Sequence, residues 1–252
     1  MKTSLNTAQA MRFNRQILMP DFDIDRQELL LNSHALMVGV GGLGCAAAQY
    51  LAAAGIGQLT LADDDNVEMT NLQRQILHRE CDVGTAKVAS AKQALHELNS
   101  ECQVHTLLSR VDDNTDKTLL ADIDIIVDCS DNLATRRFLN NLSLTYSLPL
   151  VCGAAIRSEG QLTSFIPGAD SPCYACLCSL FGEQQLSCVE SGILSPIVGI
   201  IGTMQALETI KILTDFGDNL VGKLLVFDGK RGDWQRFLLP KRPDCQTCGN
   251  KL

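Results

Sequence analysis

Four of the eleven cysteines form two C-x-x-C pairs, Cys173 with Cys176 and Cys245 with Cys248. Two such pairs supply four thiolates, the donor set of a closed tetrahedral Zn²⁺ site, which is structural because no position is left open for water or substrate. A thioredoxin-type C-x-x-C would be single and would follow the first strand of its own fold. The pattern therefore predicts a zinc site that ties the tail back onto residues 173–176. Cys178 could compete as a ligand, but its spacing from Cys176 is poor. Cys188 lies in Leu186-Ser187-Cys188-Val189-Glu190-Ser191-Gly192, ahead of a late helix. An exposed thiol there could act as a nucleophile or be a bystander. Cys45, Cys129 and Cys152 stand in apolar runs, where a thiol behaves as a small hydrophobe.

A second constellation is Gly39-Val40-Gly41-Gly42-Leu43-Gly44, which fits G-x-G-x-x-G through Gly39, Gly41 and Gly44, with Asp63 opening an aspartate triplet that ends at Asp65. Missing side chains let backbone approach a phosphate, and the following helix aims free N–H groups and its positive dipole end at that anion. The acidic side chain suits ribose hydroxyls. The turn alone does not choose between NAD and ATP. Asn71-Leu72-Gln73-Arg74-Gln75, preceded by Thr70, and Lys87 beyond Gly84 point to ATP. Hydride transfer does not need two cations facing a terminal phosphate, whereas cleaving a triphosphate does. The competing reading makes both solvated surface charges. Asp131 could hold Mg²⁺ at the carboxyl end of a strand or, with Asn132, cap a helix.

These residues need a frame. Residues 6–31 read as helical lead-in, 35–38 as a strand running into the glycine turn, 45–54 as an alanine-rich helix and 58–62 as a second strand. Residues 87–98 have helical spacing, and 103–108 and 123–128 read as strands. Strands alternating with helices predict a Rossmann-like, doubly wound parallel sheet. After Pro149 the runs 150–154, 161–165, 223–227 and 234–239 read as strands, with one clear helix near 197–213, so the α/β sheet is expected to continue antiparallel and to carry the four-cysteine zinc site. The expected organisation is a single domain over 1–252: lead-in 1–34, nucleotide-binding half 35–150 and zinc-containing half 151–252.

A chain of 252 residues has core enough without covalent staples, so an odd cysteine count with no recognisable signal peptide points to reduced thiols in the cytoplasm. The net charge of −8 and the 5% aromatic share argue against a nucleic-acid groove. The uncharged run 191–207 falls short of the ~20 predominantly apolar residues that span a bilayer. It reads as a buried loop followed by a core helix, with no membrane partner.

Taken together, the glycine turn, Asp63 to Asp65, Asn71 to Gln75, Lys87, Asp128-Cys129-Ser130-Asp131-Asn132 and both C-x-x-C pairs resemble the bacterial ubiquitin-activating-like adenylyltransferases, and the similarity extends from Arg12 to Gly249. The resemblance implies binding of ATP and Mg²⁺, and adenylation of the C-terminal glycine of a small ubiquitin-fold sulfur carrier ending in Gly-Gly. It implies that Gly42 and Asp63 contact the nucleotide, that Asn71, Arg74 and Lys87 surround the phosphates, and that Asp131 acts through Mg²⁺. It also implies that Arg15 is donated by the second chain of a homodimer. Gly153 to Gln161, Leu180 to Glu183 and Cys188 to Gly192 look like the molybdopterin-synthase branch. Val226 to Lys230, Trp234 and the aspartate triplet look more like the thiamine branch, in which Cys188 would link covalently to the carrier. The longer matches favour the molybdopterin branch. No rhodanese-like stretch follows Leu252, so a separate sulfur donor is expected. An NAD-dependent oxidoreductase is the remote alternative.

Overall fold

The computed structural model describes residues 4–115, 117–168, 170–181 and 192–249. Three short helices lead in: α1 (Thr7–Arg12), α2 (Asn14–Ile17) and α3 (Ile24–Leu31). Asn6 closes a capping box with Gln9 at the start of α1, and Asp23 caps α3 through the Arg26 N–H. β1 (His34–Val38) is buried along its whole length, as its apolar run requires of a central parallel strand. Next come α4 (Gly42–Ala54), β2 (Gln58–Ala62), α5 (Lys87–Leu98), β3 (Gln103–Leu107), β4 (Ile125–Asp128) and α6 (Leu133–Tyr146). The second half contributes β5 (Leu150–Ile156), β6 (Glu159–Phe165), α7 (Tyr174–Phe181), α8 (Ser195–Thr214), β7 (Lys223–Asp228) and β8 (Asp233–Leu238).

All eight strands join one sheet in the order β3-β2-β1-β4-β5-β6-β7-β8. Neighbours from β3 to β5 pair parallel, and β5 to β8 pair antiparallel. The predicted Rossmann-like sheet with an antiparallel continuation is therefore the observed fold. One core packs Met37, Leu59, Leu51, Ile125 and Ile201 beneath α4 and α8; the other packs Leu36, Ile126, Leu139, Leu142 and Leu177 beneath α6 and α7.

Several boundaries differ from the sequence reading. The helix after the glycine turn starts at Gly42, not Cys45. β4 begins at Ile125, because Asp124 turns its carboxylate back to accept the His34 N–H at 2.8 Å. Among the described residues the second half holds two helices, α7 and α8, beside the one near 197–213 that the sequence predicts. At 20 residues α8 is long and apolar enough to cross a membrane, yet the fold uses it as a core helix against α4, β5 and β6. Its Glu208 is buried, accepting from Ser164 Oγ, the Leu220 N–H and Lys211 Nζ.

Candidate active site

The carboxyl ends of β1, β2 and β4 form one rim, and the strand order reverses direction between β1 and β4. Open α/β sheets bind their ligands at such a switch point. The glycines divide the work there. Gly39 has φ +95°, and a Cβ on it would stand 2.7 Å from the Cys129 carbonyl oxygen. Gly44 packs so tightly on the Gly39 carbonyl that a Cβ has no room. Gly42 packs on Val198, which leaves Gly41 as the open member, with Gln75 Nε2 3.6 Å from where its Cβ would be. No side chain caps α4 at Gly41, so its first-turn N–H groups face the rim, the arrangement that binds phosphate.

Asp63 holds this turn against the end of β2. Its carboxylate accepts the Val40 N–H at 2.7 Å and the Asp65 N–H at 2.9 Å. Burial pushes its pKa above the ordinary carboxylate value, although both N–H groups and the Lys87 charge pull it down. The other two members of the aspartate triplet are each paired with a cation. Asp64 accepts from Arg110 Nε at 2.8 Å and Asp65 from Lys87 Nζ at 2.7 Å.

Lys87 is 5% exposed, which removes the surface-charge reading for this residue. As the first residue of α5 it is clamped twice to one aspartate, its N–H on the Asp65 carbonyl at 3.0 Å and its ammonium on the carboxylate. Arg74 is half-buried and donates to the Thr70 carbonyl at 3.2 Å. The Asn71 side chain accepts the Glu68 N–H at 3.1 Å, and Thr70 donates its hydroxyl to Glu68. Leu72 is half-buried and Gln73 exposed. Asp131 is exposed just beyond β4, and the helix cap is Asn132, whose side-chain oxygen accepts the Thr135 N–H at 2.9 Å.

Arg15 does not join this group within the chain. It is exposed on α2, whose flanking residues pack at the other end of α4: the Phe13 ring lies against Gly55, and Gln16 donates to the Ala54 carbonyl. At ~1.5 Å per residue, α4 separates that end from the glycine turn by roughly 20 Å. Cys188 lies outside the described residues.

Three residues in and beside the rim escaped the sequence reading of roles. Gln75 is 3% exposed and its Oε1 is a buried acceptor with no partner among the described residues. Asp128 is fully buried and accepts Ser130 N and Oγ at 3.0 and 2.6 Å. Arg136, in the first turn of α6, donates to the Ser130 and Gly153 carbonyls. Burial works against its charge, but Asp128 and Tyr174 outweigh that and raise its pKa. A basic side chain at a helix N-terminus, opposed by the dipole, was the available signal.

The four paired cysteines do converge. Cys173 and Cys176 are buried at the start of α7, with Sγ 3.8 Å from Cys245 and 3.5 Å from Cys248 respectively. All four sulfurs lie within 4.8 Å of one another. Tetrahedral Zn–S bonds of ~2.3 Å set their sulfurs roughly 3.8 Å apart, so the donor set fits zinc.

Residues 13–247 match the ThiF family. The chain belongs to that family. Among ThiF-family relatives, the molybdopterin-synthase adenylyltransferase of Escherichia coli (strain K12) is 45% identical over 245 residues, covering 97% of this chain and 98% of that protein. The corresponding Haemophilus influenzae enzyme is 45% identical over 236 residues, covering 94% and 97%. The adenylyltransferase and sulfurtransferase MOCS3 of Drosophila willistoni is 42% identical over 254 residues, covering 99% of this chain and 56% of its own length. Solved E. coli MccB with ATP superposes with TM-score 0.81 at 24% identity, over 97% of this chain and 75% of that one, and shares the fold.

Proposed function

We propose that this ThiF-family protein uses ATP to adenylate the C-terminal glycine of a ubiquitin-fold sulfur carrier, in the molybdopterin-synthase branch. The observation that carries the reading is Lys87, a buried cation fixed at the sheet's carboxyl rim beside an uncapped helix N-terminus. Near full-length identity to molybdopterin-synthase adenylyltransferases supports the choice of carrier.

The phosphates lie against the N–H groups of α4, with Lys87 and Arg74 beside them. The carrier's terminal carboxylate, already ionised near neutral pH, attacks the α-phosphorus. A P–O bond forms to the glycine carboxylate, the bond from the α-phosphorus to the bridging oxygen breaks, and its electron pair leaves on pyrophosphate. No general base is needed, so catalysis rests on positioning and charge neutralisation. Asp131 is the carboxylate for Mg²⁺, whose charge would offset that of the phosphates. Arg15 completes the site from the second chain of a homodimer, a role supported by its distance from its own glycine turn. The tetrathiolate holds structural zinc, the sulfur comes from a separate donor, and the reduced cysteines suit a cytoplasmic enzyme. Pyrophosphate exchange with Gly-Gly-ended carriers tests the reading; exchange with the thiamine-pathway carrier alone would move it to the other branch.

A further inference from the structure

Ser130, the residue before Asp131, has every polar group engaged. Its N–H and hydroxyl go to the buried Asp128 carboxylate, and its carbonyl accepts Arg136 Nη2 at 2.7 Å. The same Nη2 reaches the Gly153 carbonyl of β5 at 2.9 Å. The guanidinium and the Tyr174 phenol are electrostatically coupled. Tyr174 stands inside the first C-x-x-C pair, and its N–H donates to Asn140 of α6 at 2.8 Å. Arg136 therefore joins the β4–α6 loop, β5 and the start of α7.

A cation in the first turn of a helix is opposed by the helix dipole, so such an arginine is not there for helix stability. A planar guanidinium that bridges two carbonyls through one nitrogen while lying beside a phenol is an arrangement a lysine ammonium does not reproduce. We propose that Arg136 is a positioning residue for adenylation, which sets the Ser130–Asp131 loop before the cation arrives and ties it through Tyr174 to the four-thiol cluster. The inference rests on the adenylyltransferase reading for its kinetic consequence, and on geometry alone for the loop.

The test uses Arg136→Lys, Tyr174→Phe and the double variant, with Asp131→Asn as reference. The Mg²⁺ concentration for half-maximal pyrophosphate exchange is measured at saturating ATP and carrier, alongside the carrier KM. Amide hydrogen exchange of residues 129–135 is followed in the resting protein, with β2 as internal control. Arg136→Lys is expected to raise the half-maximal Mg²⁺ about tenfold with carrier KM unchanged, and Tyr174→Phe about threefold. The double variant should match Arg136→Lys, because Tyr174 acts through Arg136. Exchange at 129–135 should quicken in all three while β2 stays protected. Wild-type Mg²⁺ demand and wild-type protection of 129–135 in a folded Arg136→Lys would overturn the proposal, and multiplying effects in the double variant would overturn the link to Tyr174. If Asp131→Asn leaves Mg²⁺ demand unchanged, the assignment of Asp131 fails, and protection at 129–135 still decides whether Arg136 sets the loop.

Discussion

Lys87 Nζ lies 2.7 Å from Asp65 Oδ2, with the lysine side chain 7% exposed and the aspartate 61% exposed. The two ends of this pair sit in different solvents. Removing the lysine leaves a carboxylate that water can solvate, so Lys87→Met is expected to change stability by no more than about 1 kcal/mol. The same change removes charge beside the phosphates, and pyrophosphate exchange should fall by a factor on the order of 100 or more. Mixing Lys87→Met with Arg15→Ala subunits checks the two-chain site. Random pairing regenerates one intact site in half of the dimers, roughly a quarter of wild-type activity. Two inactive variants that recover no activity on mixing would contradict the two-chain site, and wild-type activity of Arg15→Ala alone would place Arg15 outside the reaction.

The glycines of the turn separate packing from ligand access. Gly44→Ala drives a Cβ into the Gly39 carbonyl and should cost more than about 3 kcal/mol or prevent folding. Gly41→Ala meets only the Gln75 amide, at ordinary contact distance, and should fold with a midpoint near wild type while weakening ATP binding. Denaturant melts and ATP titration of both variants check this, and equal stability of the two would contradict the assignment.

Much of this frame was legible because apolar periodicity coincided with burial. Helix 87–98 and strand 58–62 were read to the residue. Of α6 the sequence shows only the cap at Asp131-Asn132 and not the length, because its buried face includes Asn140 and Ser143, whose polar groups are satisfied by the Tyr174 N–H and the Leu148 carbonyl. α7 is eight residues long and starts inside the first C-x-x-C pair, so its spacing follows sulfur geometry as much as amphipathicity. In the site, residue types announced Asp63 and Lys87. Their pairing with Val40 and Asp65, and the roles of Gln75 and Arg136, depend on contacts between segments far apart in sequence.

The tetrathiolate should bind one Zn²⁺ per chain, measured by elemental analysis. Cys245→Ser, which keeps the size but removes a sulfur donor, is expected to lower zinc occupancy and cost about 2–5 kcal/mol of stability, read from denaturant midpoints. Full occupancy in that variant would exclude Cys245 as a ligand.

His34 predicts a pH response. Burial, with His105 beside it, holds its pKa below the ordinary value, and its Nδ1 is buried without a hydrogen-bond partner among the described residues. His78 is lowered by burial as well. A depressed folded pKa means that the unfolded chain binds more protons. The contribution is therefore complete above the unfolded pKa of about 6.5 and is lost as pH falls below it. The urea midpoint should drop between pH 7.5 and 5.5, and His34→Asn should shrink that drop. An unchanged pH difference in the variant would remove His34 as a source.

Carrier adenylation is measured most directly by ATP–pyrophosphate exchange with purified carriers of the molybdopterin and thiamine pathways, each intact and lacking its terminal glycine. Exchange is predicted with the intact molybdopterin-pathway carrier and none with its truncated form. Exchange that ignores the truncation, or no exchange with either intact carrier, would rule out adenylation of the carrier's C-terminal glycine.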